Sequence, residues 1–306
     1  MGQLEKVIDN LMRIPDLVVD LRTDLSRSGT LKLKADGNLL KAYSVEALQK
    51  AIVELTQNKV EYRPLGLGAN SLIEDAHDFF YLKYLPKNTK QALENIPTQG
   101  EVELPGSITL NKLTNLAIKH KLKKWDVFTG VPATLGGAVV MNAGTSLGEV
   151  GEIVKSVKYI KSTGELADHQ VRNGSFVYRN NTFLEKGDFI YSVTLKTLGT
   201  EEGIDKKIQD YLEFRNRTQP LWDKTCGCTF KNYKEGEVVL PAGKYIDLAG
   251  LKGLEYGNMK ISEKHANFFI NKENATKQEV IDFIYFVQEI LKRSYGVTFE
   301  REIKID

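Results

Sequence analysis

A chain of 306 residues, 42% hydrophobic and 27% charged, is long enough for more than one core and has the balance of a folded soluble protein. Its net charge of +2 gives no field strong enough to imply a polyanion, so nucleic acid is not an expected partner. The two cysteines, Cys226 and Cys228, stand one residue apart and the four histidines are scattered. That excludes a disulfide scaffold and any zinc spacing, and no metal is expected.

Residues 1–17 carry Glu5, Lys6, Asp9 and Arg13 among apolar positions, which breaks any signal-peptide core or membrane span. A cytoplasmic protein without membrane contact is expected. Leu4, Val7, Ile8 and Leu11 recur at helical spacing and predict an amphipathic helix packed on the body. Strand, helix and strand are predicted over 31–40, 44–55 and 60–65, a β–α–β unit whose last strand runs into glycines. A strand from Val102, a helix over 110–121, a glycine-rich stretch over 130–144 and strands over 153–160 and 189–196 follow. The polar run 199–205 lacks apolar periodicity and marks a boundary before a helix over 206–217. Thr276 with Glu279 forms a capping-box signature, Val280, Ile284, Val287 and Leu291 continue an apolar stripe, and Gly296 stops it. Residues 297–305 alternate as a strand, with Val297, Phe299, Ile303 and Ile305 on one face and Glu300 and Glu302 on the other.

Two glycine-rich segments carry the reading of the site. Gly66, Gly68, Ala69, Asn70 and Ser71 follow a strand, and small residues there let backbone amides approach a phosphate. A plain turn reads equally well, and the dinucleotide fingerprint is absent because Ser71 stands where its third glycine would be. Residues 130–144 are too rich in glycine and apolar side chains for a solvent linker. They are expected to form a long loop wrapping a large flat ligand such as a flavin with its pyrophosphate. The candidates are Gly130, Pro132, Ala133, Thr134, Gly136, Gly137, Asn142 and Gly144; a tightly packed structural turn is the alternative.

At this stretch the sequence resembles the signature G-I-P-G-T-V-G-G-A-x-x-M-N-A-G of the UDP-N-acetylenolpyruvoylglucosamine reductases (MurB). Further motifs keep the family's order. Tyr178-Arg179 to Phe183 is similar to Y-R-x-S-x-F, and Cys226-Gly227-Cys228-Thr229-Phe230-Lys231-Asn232 to A-G-S-x-F-K-N. Residues 242–253 and 262–268 resemble substrate-domain motifs, and Phe299-Glu300-Arg301-Glu302-Ile303 resembles the terminal L-E-x-E-V. The resemblance implies an α+β protein: a two-part FAD-binding fold of the vanillyl-alcohol-oxidase (PCMH) type followed by an α/β substrate-binding domain. The division then expected is a helical extension over 1–24, an FAD-binding domain over 25–204 with subdomains of about 25–83 and 84–204, and a substrate-binding domain over 205–306. A monomer of the family's shorter subtype is expected.

The resemblance also implies the reaction. NADPH reduces FAD and leaves, and a UDP-sugar enolpyruvyl ether, UDP-N-acetylglucosamine enolpyruvate, takes its place to become UDP-N-acetylmuramate for peptidoglycan synthesis. That chemistry needs a hydride at the methylene carbon, positive charge beside the carboxylate and a proton for the adjacent carbon. Carried onto this sequence, Arg179 with Glu302 would stabilise the enolate. Cys228, at the position of the family's serine, would deliver the proton, since a thiol with a pKa of about 8.5 is far more acidic than an alcohol. Tyr178, Arg179, Lys231 and Asn232 are the candidate substrate contacts. Cys226 is expected only to pack, His265 to make a structural hydrogen bond, and only the family motif selects Glu302 over Glu300. The sequence departs from the family at Asp36, Asp126, Ala133, Asn258 and Met259, and Ala133 is acceptable only at negative φ. A non-catalytic FAD- or UDP-sugar-binding protein and a flavin oxidase of the same fold are the rival readings.

Overall fold

The computed structural model describes residues 3–305, and packing divides the chain into two compact units. One comprises the chain up to Thr23 with Gly37–Gly66 and Ala76–Leu212; the other comprises Asp24–Asp36, Leu67–Asp75 and the chain from Glu213 on. The expected division was contiguous, with its boundary at 204/205. Two early stretches instead join the C-terminal unit because Leu31, Leu33 and Leu72 are buried in its core. Residues 1, 2 and 306, the ends of the expected helical extension and substrate-binding domain, lie outside the described residues.

In the first unit the helix Gln3–Met12 buries Val7 and Leu11 in one core with Leu48, Ile52 and Leu55 of the helix Val45–Gln57. Ser44 caps the latter, its Oγ accepting from the Ala47 amide at 3.1 Å. The adjoining sheet runs in the order Leu17–Asp24, Asp36–Ala42, Ala76–Tyr84, Tyr62–Pro64, the last three parallel. The β–α–β unit is therefore present, but its first strand starts at Asp36 and an unexpected strand, Ala76–Tyr84, lies between the other two. That strand has Phe79, Phe80, Tyr81 and Leu82 buried in succession, and a strand covered on both faces shows no alternation to read. Gly37 must be glycine there, since a Cβ would lie 2.5 Å from the Ala76 nitrogen. Asp36, the departure beside it, is exposed and sends its amide to Asp75 Oδ1 at 2.9 Å.

A second sheet of this unit is wholly antiparallel, in the order Gln99–Pro105, Phe189–Leu198, Val154–Ile160, Leu166–Gln170. The helix Leu110–His120 and the buried Trp125 and Phe128 share its core. Residues 130–144 are not one long loop, because Leu135–Val140 forms a short helix capped by Thr134. Leu135, Ala138 and Val139, at helical spacing, enter the core instead of lining a ligand. Asp126 is buried and faces Lys207 Nζ at 2.5 Å, so this departure keeps a buried anion with a cation beside it.

The second unit has an antiparallel sheet ordered Thr225–Cys228, Phe268–Asn271, Met259–Ile261, Glu255–Tyr256. The helices Ala242–Leu248 and Lys277–Tyr295 belong to it, with Phe230, Phe269, Phe283 and Phe299 in the core. The capping box of Thr276 and Glu279 is present, and Gly296 ends the helix at φ +69°. Two further departures have local roles: Met259 is fully buried, and Asn258 Nδ2 donates to Glu279 Oε1 at 3.1 Å. Residues 297–305 alternate in burial, with Phe299 and Ile303 inside, yet form no regular strand. They are held by isolated bridges to two different segments, Phe230 with Arg301 antiparallel and Ser71 with Lys304 parallel. Among the described residues no helix is long and apolar enough to cross a membrane.

Candidate active site

The candidate residues fall into two groups, one in each unit. In the first unit Tyr178 and Arg179 form the two-residue turn of a hairpin between Phe176–Val177 and Asn180–Asn181. Arg179 sits at φ +57°, uncommon for a residue with a side chain, and its side chain is 17% exposed. Its Nη2 donates to the Gly144 carbonyl at 2.9 Å, its Nη1 lies 3.9 Å from Glu149 Oε1, and its guanidinium lies over the Tyr178 ring. Asn142, buried at φ +44°, ties the end of the glycine-rich stretch to this hairpin. Its Nδ2 donates to Glu149 Oε2 at 2.6 Å and to the Val177 carbonyl at 3.1 Å, and its Oδ1 accepts from the Gly151 amide at 3.0 Å. Asn181 secures the other side, donating to the Val140 carbonyl and accepting from the amides of Phe183 and Leu184. The side chain of Asn142, a cofactor contact in the sequence reading, is thus engaged by the protein itself.

Two candidate glycines of this unit, Gly66 and Gly144, are explained by close approach. A Cβ on Gly66 would lie 2.5 Å from Thr134 Oγ1, and one on Gly144 would lie 2.7 Å from Glu149 Cγ. The first amides of the short helix are already used. Leu135 donates to the Ile108 carbonyl and Gly136 to that of Gly106, both at 2.7 Å, and Gly137 to Thr134 Oγ1 at 3.2 Å. Ala133 is not among the residues with positive φ, which meets the condition set for alanine there. Gly130 has φ +74° and Pro132 is exposed.

In the second unit Cys228 is half-buried at the end of its strand, past an irregularity where Gly227 takes φ +79°. The residues after it are fixed by Asn267, whose carbonyl accepts from Thr229 at 2.8 Å and whose side chain exchanges two hydrogen bonds with the Phe230 backbone. Glu302 donates its amide to the Thr229 carbonyl at 2.8 Å and accepts Asn70 Nδ2 at its own carbonyl at 2.9 Å. Lys304 donates to the Asn70 carbonyl at 3.0 Å, and its bridge to Ser71 extends the contact. Cys228, Glu302 and the Gly68–Ser71 segment are therefore brought together. Glu300 lies apart, its side chain 78% exposed and 3.3 Å from Lys231 Nζ. Asn232 Oδ1 accepts from the Ala242 amide at 3.2 Å and so holds the start of the helix Ala242–Leu248. Cys226 packs in the core, where burial pushes its thiol up to about 12. His265 is lowered by burial and then by the charge of Lys252, and its Nδ1 accepts from the Asn267 amide at 3.3 Å. That is the structural hydrogen bond expected of it.

Two family models match this chain: FAD binding domain over residues 38–169, and UDP-N-acetylenolpyruvoylglucosamine reductase, C-terminal domain, over residues 219–305. A UDP-N-acetylenolpyruvoylglucosamine reductase from Chlamydia pneumoniae is 32% identical over 282 residues, covering 92% of this chain and 90% of that protein. The chain belongs to the UDP-N-acetylenolpyruvoylglucosamine reductase family. A relative of that name from Streptococcus pneumoniae is 31% identical over 260 residues, covering 84% of the chain and 83% of the relative. The crystal structure of the Thermus caldophilus reductase superposes with a TM-score of 0.76 at 26% identity, covering 94% of this chain and 98% of that one. The α+β architecture implied by the resemblance, a PCMH-type FAD-binding fold followed by the family's C-terminal domain, is thereby met.

Whether the residues fit FAD can be tested on the amides. Gly68 is buried at φ +59°, and a Cβ there would lie 2.5 Å from the Ser28 carbonyl oxygen. Among the described residues, the amides of Gly68 and Ala69 donate to no protein acceptor. Two adjacent amides of this kind suit an anionic oxygen such as a flavin pyrophosphate presents. The amides of Gly136 and Gly137 are engaged, and Gly136 packs closely, a Cβ there lying 3.2 Å from the Gly106 carbonyl oxygen. Sequence reasoning missed Glu149 and Asn181 as parts of the site. The one local signal at Glu149, an acid three residues before Glu152, is generic to helix starts and gives no sign of Arg179.

Proposed function

We propose that this chain reduces UDP-N-acetylglucosamine enolpyruvate to UDP-N-acetylmuramate with NADPH, as a cytoplasmic, monomeric oxidoreductase of peptidoglycan precursor synthesis. Bound FAD would supply the hydride chemistry between NADPH and the enolpyruvyl methylene carbon. The protein's own part is charge and a proton. Arg179 pairs with the substrate carboxylate through two parallel hydrogen bonds and stabilises the charge that builds there as the double bond is reduced. Cys228 gives its Sγ proton to the carbon beside that carboxylate and regains one from water. Glu302, half-buried where Glu300 is exposed, acts with Arg179 on the enolate form. Lys231 exchanges Glu300 for the substrate's diphosphate, Tyr178 and Asn232 contact the UDP-sugar, and Gly68 and Ala69 hold the flavin pyrophosphate through their amides.

One observation carries this reading. Hydrogen bonds from Glu302 to Thr229 and from Asn70 to Glu302 tie the carboxylate residue, the residue after Cys228 and the segment with open amides into a single cluster. The test is direct. The purified protein should be yellow, and its NADPH consumption should depend on UDP-N-acetylglucosamine enolpyruvate. Cys228→Ser should keep measurable turnover. In Cys228→Ala, NADPH should still bleach the flavin, while reoxidation by substrate should slow roughly 100- to 10,000-fold, the usual worth of a general acid. A yellow protein that never turns over this substrate refutes the reading, and normal turnover in the alanine variant removes Cys228 from the mechanism.

A further inference from the structure

We infer that Glu149, oriented by Asn142, is the positioning residue that sets the guanidinium of Arg179 for the substrate carboxylate; the inference rests on the role proposed above for Arg179. Glu149 lies outside every motif of the sequence reading, yet each part of it is tied to that arginine. Its backbone pairs with Gly144 in a short antiparallel bridge, and the Gly144 carbonyl accepts Arg179 Nη2 at 2.9 Å. Gly144 and Glu149 are thus cross-strand partners that address two nitrogens of the same guanidinium. A Cβ on residue 144 would lie 2.7 Å from Glu149 Cγ and 3.2 Å from Arg179 Nη1, so glycine is what lets acid and arginine approach across the chain.

The carboxylate of Glu149 is itself held. Oε2 accepts from Asn142 Nδ2 at 2.6 Å, and Oε1 is the oxygen 3.9 Å from Arg179 Nη1. A reciprocal capping box with Glu152 fixes the residue from the other direction, the Glu149 amide donating to Glu152 Oε1 at 2.9 Å. Asn142 also holds the Val177 carbonyl, immediately before the Tyr178–Arg179 turn, so one side chain sets both the acid and the turn that carries the arginine. At 3.9 Å, with the glutamate side chain 38% exposed, the ion pair is a weak source of stability. Its consequence is orientation. A guanidinium has five N–H donors in a fixed fork, and an anion held on one side restricts how the fork can meet a second carboxylate.

The test separates carboxylate recognition from general binding. The flavin-loaded protein is titrated by calorimetry with UDP-N-acetylmuramate, which bears the carboxylate, and with UDP-N-acetylglucosamine, which lacks it. Glu149→Gln should weaken the first ligand about 10-fold, roughly the worth of one hydrogen bond to a charged group, and leave the second unchanged. Glu149→Asp keeps the charge with a shorter reach and should lose less than Glu149→Gln. Equal weakening of both ligands in either variant, or unchanged affinity for both in Glu149→Gln, overturns the inference. Arg179→Ala distinguishes the two levels of argument. If it loses the carboxylate ligand selectively while Glu149→Gln does not, only the role of Glu149 falls; if it shows no selectivity, the role proposed for Arg179 falls first.

Discussion

Replacing Asn142 by alanine should destabilise the first unit by about 4 kcal/mol. The side chain makes hydrogen bonds of 2.6, 3.1 and 3.0 Å to Glu149, Val177 and Gly151. A net hydrogen bond contributes about 1 kcal/mol, and the Glu149 bond counts no more than that because its carboxylate is 38% exposed and water can replace the donor. Three bonds give about 3 kcal/mol. The backbone adds to this, because φ is +44° and alanine, unlike asparagine, has no polar side chain to stabilise that conformation, a further cost of about 1 kcal/mol. Asn142→Gly removes the same bonds without that strain and should be about 1 kcal/mol more stable than the alanine variant. Urea denaturation followed by tryptophan fluorescence reads this unit well: Trp125 is buried in its core, while Trp222 is 90% exposed and changes little on unfolding. An alanine variant within about 1 kcal/mol of the parent, or a glycine variant no more stable than alanine, would refute the assignment of Asn142 as the tie between loop and hairpin.

Other expectations concern charge and cysteine. Lys207→Met should cost about 3 kcal/mol by leaving the Asp126 carboxylate, 1% exposed, buried without its cation, and adding Asp126→Asn should recover most of the loss on denaturation. The amide of Thr276, with further hydrogen bonds from Asn258 and the Thr276 hydroxyl, holds Glu279 below its ordinary carboxylate value. Its stabilising contribution is fully present above the unfolded carboxylate pKa of about 4.3 and is lost as pH falls through the lower folded value. The advantage of the parent over Glu279→Gln in thermal unfolding should therefore hold at neutral pH and shrink in acid; an advantage that grows on acidification contradicts the sign. Finally, with its thiol near 12, Cys226 is about one part in 10,000 thiolate at pH 8. A thiol reagent should label Cys228 alone in the folded protein and both cysteines in urea, whereas two fast-reacting native thiols would contradict the burial of Cys226.

Features that depend on a few neighbouring residues were legible before any coordinates. The capping box of Thr276 and Glu279, the stop at Gly296 and the helix that buries Val7 and Leu11 follow from residue type and spacing, while Arg179, Cys228 and Glu302 stand out only through the resemblance of their motifs to those of the family. Tertiary structure decided the rest. Apolar spacing shows that Leu31 and Leu33 are inside but not which core they enter, and they enter that of the C-terminal unit. The strand Ala76–Tyr84 is covered on both faces, which erases the alternation by which strands are recognised. The stretch expected to be one long loop folds in part into a short helix whose first amides meet the carbonyls of Gly106 and Ile108, partners nearly thirty residues away. Asn142 reaches Val177 and Glu149 reaches Arg179 across a comparable gap, through a turn and a bridge that exist only once the chain is packed. Local sequence sets which groups a residue can bond; which of them it meets is settled by how distant segments pack.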